Sequence, residues 1–518
     1  MVDTRTIDAL ETDLLQRRFK DICHYFETQP PADLRARMVE LRAAYAKGRL
    51  SAAEVLWRLT RQLEETGPGD ADIARLAELG VDMAIALRLQ KVGDEWLETC
   101  RALPGGQTEP WLQMHLFIAF DDRQAAQEVL PKLRPGHRMD ELAAARLAYV
   151  EGDFETALKR IAPLKSGDFD TAQSSALRLS AQIHGAQRQF TGEAESLSTL
   201  IDKMPDGDDS DRLRLELAAA HAAEGTDESM LKAENVLKAV ASGGGPLASY
   251  AKQRLSHLEK SRKAAAEGHP PQHARLPFPT VHQKRDYCGP AVLELCLRSL
   301  DIELTQDEIA GAVKRESGTP MYEICAYLDE RDIEARRTSA TLGRLRGAIG
   351  LGLPIIVQEE YSVTSHVAVL TGYDDRLGLF IVQDPMTHRA ELKSYEWVEN
   401  SGQLFGNGIV VVVGRRSQIT DELNQALVNA ELENEEAFAI LDEADRMRAS
   451  AKGQGAEEAV AEEIIAAANL ALDKKPDYQL AWCRRAWAQV SRYREDSNNR
   501  GAAWRAVHAA RVRWRGCE

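Results

Sequence analysis

The constraint that weighs most on this chain is a change of texture near residue 277. Up to about residue 265, apolar side chains recur at helical spacing, interrupted by short turns such as GPGD, PGG, EGD and SGGGP. The stretch SRKAAAEGHPPQHARLP is rich in charge, proline and histidine, and reads as a linker over 266–276. From 277 to 416 the runs PIIVQ, HVAVLTGY, LFIVQD and GIVVVV are short, branched and apolar, with turns such as DDRLG between them. Helical spacing returns over 417–518. These textures demand separate cores, and 518 residues at ~150 per domain allow three or four units. The expected organisation is a helical domain at 1–265, a linker at 266–276, an α+β domain at 277–416 and a helical segment at 417–518.

Composition narrows the function. Apolar residues at 44% and charged residues at 28% fit a folded, soluble chain and exclude wholesale disorder. A net charge of −16 speaks against a nucleic-acid binder, which needs a basic face for phosphate. No run approaches the ~20 apolar residues of a membrane span, and the start MVDTRTIDALETDLLQ lacks the features of a signal peptide. The seven cysteines (Cys23, Cys100, Cys288, Cys296, Cys325, Cys483 and Cys517) are scattered, with no C-x-x-C pair. A disulfide framework and a zinc site are therefore not expected. The expectation is a cytoplasmic protein with reduced thiols, no metal or organic cofactor, and neither nucleic acid nor membrane as partner.

Within the first arm, Tyr149, Gly152, Phe154, Ala157 and Ile161 stand where two packed antiparallel helices need them. Phe190 and Leu197 repeat the pattern before Pro205, and Met230, Ala233 and Leu237 repeat it again before Pro246. This grammar, with a period in the middle thirties, resembles the tetratricopeptide repeat. In the second arm, Pro476, Trp482 and Ala486 have the spacing of a junction between two such repeats. The resemblance implies a concave groove for a peptide or a partner protein.

The chemistry is concentrated in 277–416. Thr305 is a candidate N-cap before QDEIAGAV, and Thr319-Pro320 opens MYEICAYLDE. Ahead of them runs Gln283-Lys284-Arg285-Asp286-Tyr287-Cys288-Gly289-Pro290-Ala291. Pro290 suits the first turn of a helix, which puts Cys288 at the helix N-terminus, where free amides and the dipole favour a thiolate. Gly289 allows close approach of a substrate carbonyl. Gln283 is placed to aim its side-chain amide at a tetrahedral oxyanion beside the Cys288 amide. His366 opens the run HVAVLTGY as candidate base, and Asp384 ends LFIVQD as its orienting partner. Cys296 and Cys325 fall on apolar helix faces and read as core. His388 reads as a solvated turn residue, and Glu359 and Glu360 as facing water.

The set Q-x4-CGPA, then GT, then HVAVLTGYD, then a strand ending in DP resembles the papain-like cysteine peptidases that process bacteriocins at double-glycine leaders. It is most similar to their stand-alone relatives, some of which carry tetratricopeptide-like repeats. The resemblance implies a multidomain protein with α-helical, tetratricopeptide-like arms around an α+β papain-like peptidase domain. It implies Cys288 as nucleophile, His366 as base, Asp384 as orienting residue and Gln283 as oxyanion donor. No P-loop accompanies the motif, so a transporter role is not expected. The expected function is a cysteine peptidase acting on a peptide or leader-bearing precursor, presented by the repeats or by a protein bound to them. Acyl transfer through the same thioester, and a scaffold that binds without cutting, are the alternatives.

Overall fold

The structure is a computed structural model. It describes residues 6–15, 18–66, 70–103, 109–167, 169–204, 207–269, 271–314, 319, 321–361, 364–388, 390–397, 409–415 and 460–474, with isolated positions 437, 440, 441, 476, 481, 485, 488 and 489. The chain divides into two compact units, Met1–Ser256 and His257–Glu518.

The first unit is helical throughout its described residues. Its helices are α1 (Ile7–Leu15), α2 (Phe19–Thr28), α3 (Leu34–Ala46), α4 (Ala52–Thr66), α5 (Asp70–Ala86), α6 (Gln90–Ala102), α7 (Pro110–Ala119), α8 (Arg123–Val129), α9 (Arg138–Glu151), α10 (Phe154–Ile161), α11 (Thr171–Ala186), α12 (Phe190–Ile201), α13 (Asp208–Glu224) and α14 (Asp227–Ser242). A further helix, α15 (Ala248–Ala266), contains the boundary between the units.

From α3 onward the helices come in pairs, and each pair is closed by one residue in the left-handed region. These residues are Gly48, Arg88, Asp121, Gly152, Arg188 and Gly225, with φ between 57° and 82°. They recur at roughly 30–40 residues, the interval of a helical-hairpin repeat. The side chains of Asp122, Asp153 and Thr226 then cap the second helix of their pairs, accepting the amides of Ala125, Thr156 and Ser229. Packing follows the sequence pattern. Ala157 and Ile161 are wholly buried, and the Tyr149 and Phe154 rings lie 5.9 Å apart. Upstream, Gly80 lies under Trp96, whose indole donates to the Leu76 carbonyl at 3.1 Å. A Cβ at Gly80 would sit 1.8 Å from the indole nitrogen, so only glycine admits that contact.

The second unit holds β1 (His273–Arg275), α16 (Cys288–Arg298), α17 (Gln306–Val313), α18 (Met321–Asp329), β2 (Ile333–Ser339), α19 (Leu342–Gly350), β3 (Ile355–Tyr361), β4 (Thr364–Asp374), β5 (Leu379–Gln383), β6 (Ala390–Ser394) and β7 (Ile409–Arg415). The strands form an antiparallel sheet in the order β2-β7-β3-β4-β5-β6. Side chains alternate across it. Ile356, Val367, Val369 and Val413 pack with Val292, Leu293 and Leu295 of α16. Ile355, Val357, Ala368, Leu370 and Val412 pack with Leu345 and Ile349 of α19. The cysteine-bearing helix thus lies on one face of the sheet and α19 on the other.

The stretch 266–276, expected as a linker, is structured. Here α15 reaches Ala266, and β1 pairs with the far half of β4, with Ala274 opposite Tyr373. Gly372 makes room for it, since a Cβ there would lie 2.6 Å from the Ala274 carbonyl. His257 and Ser261 of α15 bond to Glu396 and to the Asp375 carbonyl, at 2.8 and 2.9 Å. The short segment HAR carries no apolar alternation, and its place in the sheet rests on main-chain bonds. Of 417–518, the described residues include a helix at Ala461–Lys474; Trp482, Ala486, Cys483 and Cys517 lie outside them.

Candidate active site

Cys288 is the first residue of α16 and is half-buried. Tyr287 precedes it without a side-chain cap bond, so no side chain of that residue closes the first turn. Asp286, at φ 58°, supplies the sharp reversal that brings the chain into the helix. Gly289 also makes a contact that the sequence did not show. Its open side faces Thr319, and a Cβ there would stand 2.4 Å from the Thr319 Cβ. The glycine is what lets Thr319 close over the start of α16.

His366 and Asp384 come together at one end of the β4–β5 pair, where Val369 lies opposite Gln383. Both are buried, at 7% exposure each. His366 Nε2 is 2.8 Å from Asp384 Oδ1, and Cys288 is the other group that acts on the ring. Burial draws the imidazole pKa down, but the hydrogen bonds to Asp384 and Cys288 and the charges behind them outweigh it and raise it from 6.5 to about 10. The ring therefore carries a proton at neutral pH. Asp384 is itself fixed, because its Oδ1 also accepts the Met386 amide at 2.8 Å and its carbonyl accepts the Thr387 amide at 3.1 Å.

Gln283 approaches the same place from the other side. Its amide donates to the Pro385 carbonyl at 2.7 Å, tying it to the residue after Asp384. Its side-chain Oε1 is buried and accepts no hydrogen bond among the described residues. Such a group costs about 1–3 kcal/mol and marks a side chain held for something other than packing. Gln283, Cys288, His366 and Asp384 thus converge on one region.

Residues 275–404 match the Peptidase_C39 like family. Over 134 residues the chain is 32% identical to an uncharacterized protein of Methanothermobacter thermautotrophicus, a stretch that covers 26% of this chain and 86% of that relative. Through this domain the chain belongs to the Peptidase_C39 like family. The matched span begins at β1 and contains Gln283, Cys288, His366 and Asp384.

The C39-like domain also contains neighbours whose placement the sequence did not show. Gln306 bonds to the backbone on both sides of Gln283. His388, expected in a solvated turn, is 4% exposed, with its ring 5.5 Å from that of His282. Two of the other described cysteines are deeply buried. Cys296 is wholly buried in the C39-like core, where desolvation pushes its thiol pKa up, and burial raises that of Cys100 in the first unit to about 11. Among the described residues no group of three or more His, Cys, Asp or Glu side chains is placed to hold a metal ion. No described helix is long and apolar enough to cross a membrane.

Proposed function

We propose that the C39-like domain is a cysteine peptidase that cleaves a peptide or leader-bearing precursor, with Cys288 as nucleophile, His366 as acid and base, Asp384 as its orienting partner and Gln283 as oxyanion donor. The observation that supports this reading is the buried His366 ring, 2.8 Å from Asp384 and with Cys288 among the groups that act on it. The attacking form of such a pair is thiolate and imidazolium, and an imidazole protonated at neutral pH supplies the cation. The Cys288 sulfur adds to the scissile carbonyl, and the oxygen takes the negative charge opposite the Cys288 amide and the Gln283 side chain. His366 gives its proton to the leaving amine, leaving a thioester on Cys288. Water, deprotonated by His366, then releases the acid and frees the thiol. Asp384, pinned by the Met386 amide, keeps the ring in the tautomer and orientation that both steps use.

The first unit adds the means of presentation. Paired helices at the interval of a hairpin repeat support a tetratricopeptide-like array with a groove for the substrate or for a protein that delivers it. The decisive experiment is mass spectrometry of peptides encoded beside the gene, incubated with the purified protein or with its Cys288→Ala variant. Cleavage by the first and not the second is expected. Products that incorporate an added amine in place of water would reassign the domain to acyl transfer, and intact peptides retained by both proteins would make it a binding scaffold.

A further inference from the structure

One side chain holds the backbone on both sides of Gln283. Gln306 opens α17 and is 7% exposed. Its Nε2 donates to the His282 carbonyl at 3.0 Å, and its Oε1 accepts the Lys284 amide at 2.9 Å. A primary amide offers one donor edge and one acceptor edge, and here both are spent on the two peptide groups that bracket residue 283. Gln306 is in turn held from two directions. Thr305 and Glu308 form a capping box that fixes the first turn of α17. Glu294, on the helix that begins with Cys288, is a polar neighbour of Gln306. A continuous set of bonds therefore runs from the first turn of α17 through Gln306 to the segment carrying Gln283. The Gln283 amide, bonded to the Pro385 carbonyl at 2.7 Å, extends it to the Asp384 loop.

We propose that Gln306 is a positioning residue that sets the orientation of Gln283 relative to Cys288 and so governs the oxyanion hole. This rests on the peptidase reading above. Oxyanion stabilisation depends on donors standing within a few tenths of an ångström of where charge develops, and a residue whose flanking peptides can rotate loses that alignment. Gln306 touches neither the thiol nor the imidazole among the bonds above. Its loss should therefore weaken steps that pass through a tetrahedral oxyanion and spare those that do not.

Two small probes separate these cases in the full-length protein. With p-nitrophenyl acetate the Cys288 sulfur bonds to the acetyl carbon and p-nitrophenolate leaves, through a tetrahedral oxyanion. With iodoacetamide the sulfur bonds to carbon and iodide leaves, with no oxyanion formed. Gln306→Met, which keeps length and volume, should slow acylation about 10- to 100-fold and leave alkylation of Cys288 within about twofold. Gln306→Glu keeps the acceptor for Lys284 but loses the donor to His282, and should fall between Met and wild type. Gln283→Ala should show the same split, and the Gln283→Ala/Gln306→Met pair should acylate no more slowly than Gln283→Ala alone. Acylation of Gln306→Met within twofold of wild type, a parallel fall in both reactions, or losses that multiply in the pair would overturn the positioning role. A wild-type protein that alkylates at Cys288 but gives no p-nitrophenolate burst would instead remove the peptidase reading, and this role with it.

Discussion

His366 Nε2 stands 2.8 Å from Asp384 Oδ1, and that same oxygen accepts the Met386 amide at 2.8 Å. The carboxylate bonded to the imidazole is therefore also anchored by backbone. The two residues are separated by 18 positions in sequence and meet because β4 begins where β5 ends.

The first expectation concerns pH. The folded pKa of His366 is raised from 6.5 to about 10, so the folded protein keeps a proton that the unfolded chain has lost across that interval. The stabilisation is complete below pH 6.5 and disappears as pH rises towards 10. Unfolding by urea at a series of pH values should show stability falling by roughly 5 kcal/mol over that range. Asp384→Asn should flatten the slope and move the imidazole titration, followed by NMR, to lower pH. An unchanged titration in the variant would contradict the coupling.

Thiol reactivity provides a second check. Iodoacetamide should label Cys288 first in the folded protein, while Cys296 and Cys100, buried and with raised pKa values, stay unmodified until the chain unfolds. Peptide mapping after brief exposure would show the order. His366→Ala should slow labelling of Cys288 at least ~10-fold, because the cation beside the sulfur is gone. Labelling of Cys296 at the same rate as Cys288 would speak against the pairing.

Gly289→Ala tests the contact over the start of α16. The new Cβ would meet the Thr319 side chain at 2.4–2.6 Å, closer than any relaxed contact, so Thr319 must move. A loss of about 1–3 kcal/mol is expected, the usual range for overpacking, with slower acylation by p-nitrophenyl acetate. Adding Thr319→Gly should recover most of the stability. Recovery by that second change but not by a distant one, measured by thermal unfolding, is the criterion.

A truncation series addresses the boundary. A chain beginning at residue 257 keeps the His257–Glu396 and Ser261–Asp375 bonds and β1, whereas one beginning at 277 loses them all. The longer form should be the more stable by roughly 1–3 kcal/mol. Equal urea midpoints would mean that α15 and β1 are dispensable to the sheet.

The strands legible in the sequence were those with apolar side chains on both faces. PIIVQ, HVAVLTGY, LFIVQ and IVVVV fall in β3, β4, β5 and β7, the inner part of the sheet. The outer strands β2, with IEARRTS, and β6, with AELKS, carry charge because one edge meets water, and a pattern built on apolar runs passes over them. The helix pairs between 138 and 242 were legible for a similar reason, since Gly152 marks a turn. The turns at Arg88, Asp121 and Arg188 were not, because none of these residues announces a left-handed backbone.

What the sequence alone determined were the local facts. The helix that follows Cys288, the capping box at Thr305 and the switch from helical to strand period each depend on neighbours a few residues away, and short-range sterics and hydrogen bonding decide them. The tertiary structure alone decided which distant groups meet. Thr319 over Gly289, Gln306 on both flanks of Gln283, and the Pro385 carbonyl on the Gln283 amide all depend on how α17 and the β5–β6 loop pack against α16. Glutamine and threonine at those positions look like any polar surface residue in the sequence. Their roles come from burial and from partners more than a dozen residues away, and only the packed chain specifies those.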